Sequence, residues 1–158
     1  MKTTREAARE ASHNDLVHNL TDLLEKNYDA EKGYKKAIEH SNNPHLKQFL
    51  KDQAVQRNHF ATELDKQLHL LNEHPGEKGS AMGAMHRFWM NFKTTFTKND
   101  DEAILEECLR GEKASLKEYD AKLKNKFLPT EISEMFKGHR SRISQTVDTI
   151  RLLEDLEA

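Results

Sequence analysis

A chain of 158 residues with only six Gly and three Pro has few places where a sheet could turn, so long helices within one domain are expected. A net charge of -2 argues against a protein that depends on phosphate contacts, and nucleic acid is not an expected partner. No apolar run approaches the roughly 20 residues needed to cross a bilayer, and the opening MKTTREAAREASHN lacks the apolar centre of a secretion signal, so no membrane role is expected and a cytoplasmic location is. Cys108 stands alone and excludes an internal disulfide.

In chain order, residues 1–12 are expected to form a flexible N-terminal segment ahead of a single four-helix domain spanning 13–158. Leu16, Leu20, Leu23, Tyr34 and Ile38 recur in steps of three and four, which predicts a first helix over about 14–41 with Asn14 or Asp15 as its cap. SNNPHLKQF then stops one helix and starts another, because Asn43 can cap and Pro44 suits the first helical position. That second helix reaches about Asn72, where NEHPGEKGS breaks it.

A long crossover follows. Within it GSAMGAMHRFWMNFKTTF places Met82, Met85, Trp89, Phe92 and Phe96 at helical spacing after Ser80, predicting a short amphipathic helix. Such a face either covers the core edges of its own bundle or forms a homodimer surface around Trp89, and core cover is preferred because apolar stripes usually pack within their own fold. Asn99 or Asp100 can cap a third helix carrying Leu105, Leu109, Leu116, Tyr119 and Leu123, which Pro129 terminates. The fourth helix carries Ile132, Phe136, Ile143, Ile150 and Leu153. Two tight hairpins joined by one long crossover give an all-α, ferritin-like four-helix bundle.

Polar residues interrupt the apolar stripes at half height. Continuing the first helix gives Leu23, Asn27, Ala30, Tyr34, and continuing the third gives Leu109, Glu112, Leu116, so an amide and a carboxylate occupy inward positions. Uniform helix rise puts Asn27 level with the Gln56 to His59 region across the first turn, and Asn27, Gln56, His59 and Glu112 are expected to converge in one buried polar layer, with Glu31 one turn away. Gln56, His59 and Glu63 can line one face of the second helix. His139 falls on the inward stripe of the fourth helix, where a neutral imidazole with one hydrogen bond is expected, and Cys108 should be a buried, inert thiol.

Gln56-Arg57-Asn58-His59 resembles the Glu-x-x-His motif of ferritin-like di-iron proteins with the Glu replaced, and Glu112, seven residues before Tyr119, resembles the Glu of their third helix. Asn27 stands at the matching place of the first helix, and Ile143 with Thr146, or Ser144 with Val147, at that of the fourth. The resemblance therefore implies a degenerate site with too few carboxylates for two metal ions. No cofactor is expected; a single metal ion on His59 and Glu112 with Glu31 or Glu63 is the alternative. QRNHFATEL, GSAMGAMHRFWMNFK and DDEAILEECLRGEKASLKEY in this order are also similar to a bacterial family of uncharacterised ferritin-like bundles carrying a domain of unknown function, over about residues 15–156. The resulting expectation is a cytoplasmic, non-enzymatic bundle serving under stress, with a ferritin-like oxidase or peroxide scavenger as the competing class.

Overall fold

The structure, a computed structural model, describes residues 3–74 and 101–157. Four helices account for it: α1 (Thr4–His40), α2 (Pro44–Leu70), α3 (Asp101–Leu123) and α4 (Thr130–Glu157). They form two hairpins, α1 with α2 and α3 with α4, which meet mainly where α1 packs on α3.

Local signals explain most of the boundaries. Asn43 Oδ1 accepts from the backbone N–H groups of His45 and Leu46 at 2.8 and 3.4 Å, satisfying donors that the first turn of α2 cannot, and Pro44 follows where no N–H is needed. Asn72 adopts φ 62 just beyond α2, a left-handed conformation that asparagine tolerates, while the Glu73 N–H returns to the Leu68 carbonyl at 2.9 Å. The start of α1 differs from expectation. It begins at Thr4, about three turns before Asn14, because Thr3 and Glu6 form a reciprocal capping box that sustains helix through residues 4–12. Those turns are solvent-exposed, so nothing in their hydrophobic pattern announced them.

The core has two apolar ends. Ala30, Tyr34, Leu46, Leu50, Ile104, Leu105 and Ile150 pack around one, and Leu20, Leu23, Phe60, Leu64, Leu68, Phe136 and Ile143 around the other. Each inward leucine removed from water contributes roughly 1.5–3 kcal/mol. Asp101 bridges the hairpins at the first end, its carboxylate accepting from the N–H groups of Asn42 and Asn43 at 2.9 and 3.0 Å. Along the α1–α3 seam, Lys26 pairs with Glu118 and Lys122 with Asp22, each at 2.8 Å. No helix among the described residues is long and apolar enough to cross a membrane. The crossover helix and the Trp89 surface lie outside the described residues, as do the expected caps Asn99 and Asp100.

Candidate functional site

Between the two apolar ends lies a polar layer built by all four helices. Its centre is Arg57 of α2, whose side chain is 1% exposed. Arg57 Nη2 donates to Glu112 Oε2 and to Ser115 Oγ on α3, both at 2.9 Å, and Nη1 donates to Asn27 Oδ1 on α1 at 2.8 Å. Tyr34 of α1 donates its hydroxyl proton to the other Glu112 oxygen. Glu112, fully buried, is thus held by a cation on one side and a phenol on the other.

Electrostatics follows from this enclosure. Burial opposes the charged guanidinium, but the neighbouring Glu112 carboxylate together with Tyr34 and Tyr119 outweighs it and holds the Arg57 pKa above its ordinary value. Burial, then the Glu112 charge, pushes the Tyr34 phenol well up, so Tyr34 stays a donor. The same two causes raise the Cys108 thiol, leaving it protonated and unreactive.

A second branch runs from Asn27 to α4, and its proton positions follow from donor and acceptor chemistry. Because a guanidinium can only donate, Asn27 must present Oδ1 to Arg57, which turns its Nδ2 toward the Leu23 carbonyl at 2.8 Å and the Tyr119 hydroxyl at 3.0 Å. The Tyr119 oxygen accepts there, so its own proton goes to its remaining partner, His139 Nδ1, at 2.8 Å. His139 is therefore the tautomer with its hydrogen on Nε2. Burial, with the positive charges of Arg57 and Arg142, pushes its pKa down to about 3 and keeps it neutral. Its ring stacks on Phe60 with centroids 4.0 Å apart.

The structure brings together only some of the residues singled out from the sequence. Asn27 and Glu112 are both buried and are joined through Arg57. Gln56 is half-buried and His59 exposed; both line a cleft between α2 and α4. Glu31 receives hydrogen bonds from Asn58 at 3.2 Å and pairs with Lys35 at 2.9 Å, and Glu63 lies at the cleft rim. His59, Glu112, Glu31 and Glu63 do not assemble: among the described residues no group of three or more His, Cys, Asp or Glu side chains is placed to hold a metal ion. The cause is helix phase. Leu50, Ala54, Arg57, Ala61, Leu64 and Leu68 form the buried stripe of α2, and His59, two residues or about 200° beyond Arg57, points away from it.

A pair of metal ions, which the fold type implies, does not fit these donors. The layer offers one carboxylate already bound by Arg57 and Tyr34, an amide, two phenols and an imidazole whose inward nitrogen accepts from Tyr119. Arg57, Ser115 and Tyr119 had escaped the sequence reading as members of this layer. Arg57 had a usable signal, since it continues the α2 apolar stripe.

Comparisons with known proteins agree on architecture. The model of a family described as a domain of unknown function, DUF2383, matches residues 15–125. Among solved structures, a two-domain protein from Anabaena variabilis containing DJ-1/ThiJ/PfpI-like and ferritin-like domains is similar, with a TM-score of 0.80 and 14% identity over 92% of this chain. The chain spans 40% of that protein, and the likeness concerns the fold alone. Comparison with curated proteins gives no match.

Proposed function

This chain belongs to the DUF2383 family, and from its buried network we propose a non-enzymatic, cytoplasmic ferritin-like bundle whose interior ion pair takes the place of a metal centre. The observation that carries this reading is the Arg57 guanidinium in the central layer. It brings the positive charge that a metal would otherwise supply and consumes the layer's one carboxylate. A cation entering beside it would face repulsion from Arg57 and would need Glu112 released from two partners. The network also links α1, α2, α3 and α4, and sliding any helix by one turn would strand a buried charge or a buried hydrogen-bonding group, so its role is to set register.

Elemental analysis of purified protein after dialysis tests the proposal, together with ferroxidase and peroxide-consumption assays after anaerobic iron loading. The expected result is substoichiometric metal and no turnover beyond a protein-free control. Stoichiometric iron, zinc or manganese, or turnover that Glu112→Gln abolishes while its far-UV circular dichroism stays unchanged, would overturn it in favour of a ferritin-like oxidase or peroxide scavenger.

A further inference from the structure

We propose that the cleft between α2 and α4 is a binding site for an uncharged aromatic carboxamide, held by the Nε2–H of His139. The cleft measures about 630 Å³, a size suited to a small organic molecule. His139 lines it while only 3% exposed, and among the described residues its Nε2 has no hydrogen-bond partner. Glu63 Oε1 stands 3.5 Å away without hydrogen-bond geometry, on a side chain that is 55% exposed. A buried donor left unpaired is costly, so an acceptor delivered through the cleft recovers that cost.

The hydrogen on that nitrogen is not a free choice. Arg57 fixes the Asn27 amide, Asn27 fixes the Tyr119 hydroxyl, and Tyr119 fixes His139, so the cleft is shown an N–H and not a lone pair. A carbonyl oxygen matches this donor, whereas a metal ion does not. The Gln56 Nε2, buried and without an acceptor among the described residues, belongs to the same cleft and offers a second N–H.

Charge and shape narrow the class further. Asp52, Glu63 and Glu134 line the cleft against one cation, Arg142, which disfavours an anion and gives acceptors for an amide NH₂. Val55 and Met135 supply an apolar wall for a flat ring, and Phe60, buried and stacked on His139, holds the donor ring in place. Gly138 lies at the same wall, and a Cβ built there meets nothing within 4 Å among the described residues, leaving space where any other residue would intrude. The site lies beside the Arg57–Glu112 pair and is independent of whether that centre takes metal.

The test is a titration of the full-length protein with nicotinamide and benzamide, read on the His139 Nε2–H resonance in a ¹H–¹⁵N correlation spectrum. Nicotinate and benzoate serve as anionic counterparts, and Gly138→Leu fills the cleft without touching the network. Saturable shifts with the amides, at least ~10-fold weaker binding of the acids and loss of the response in folded Gly138→Leu are expected. The absence of any shift with both amides, an equal response to the acids, or undiminished binding by Gly138→Leu would each overturn the assignment.

Discussion

Arg57 Nη2 lies 2.9 Å from Glu112 Oε2 in a part of the interior where the two side chains are 1% and 0% exposed. Removing one member leaves the other as an uncompensated interior charge, so Arg57→Ala should lose roughly 3–5 kcal/mol in urea unfolding. Arg57→Met combined with Glu112→Leu removes both charges while keeping volume, and should recover part of that loss, the buried Tyr34 hydroxyl and Asn27 Oδ1 being left without their partners. By contrast, breaking the exposed Lys137–Glu134 contact at 3.7 Å should change stability by at most ~1 kcal/mol.

Acid sensitivity should trace to His139. Its folded pKa of about 3 lies below the unfolded value near 6.5, so the unfolded chain binds the extra proton. The contribution is complete above about pH 6.5 and is lost as pH falls toward 3, at up to about 1.4 kcal/mol per pH unit. Unfolding free energies at pH 7.5 and 5 should therefore fall more for the native sequence than for His139→Phe, which carries no titratable group against Phe60.

The same side chain reports the direction of the hydrogen-bond relay. ¹⁵N shifts of the His139 ring should show hydrogen on Nε2 across neutral pH. Tyr119→Phe removes the donor to Nδ1 and one acceptor for the Asn27 amide, which should allow both tautomers and cost about 1–2 kcal/mol.

Height in the bundle was legible in the sequence and rotation about the helix axis was not. Counting from the turn at 42–43 put Asn27 level with residues 56–59, and Asn27 does meet α2 there. The residue it meets is Arg57, one position from Gln56, because a long cationic side chain continued the Leu50–Ala54–Ala61–Leu64 stripe at a place where arginine is rarely buried. Matching Gln56-x-x-His59 to a metal motif selected the wrong face for the same reason. Glu112 and His139 were readable because each interrupts an otherwise apolar period, whereas Thr3 and Glu6 began α1 early by capping alone, without any apolar pattern to mark it.

Gly138 offers a gain instead of a loss. A glycine within α4 costs helix stability relative to alanine, and the added methyl meets nothing within 4 Å among the described residues. Gly138→Ala should raise unfolding free energy by roughly 0.5–1 kcal/mol, visible as a higher Tm. A lower Tm would mean that the backbone there needs a conformation alanine resists.

Asp101 bears on how the halves come apart. Its carboxylate is the acceptor for the amide hydrogens of Asn42 and Asn43, which lie on the other hairpin and between helices, where no helical carbonyl protects them. Exchange of these two hydrogens with deuterated solvent therefore gauges separation of the hairpins at that end, apart from fraying of either helix, and the protein carries its own gauge for that motion.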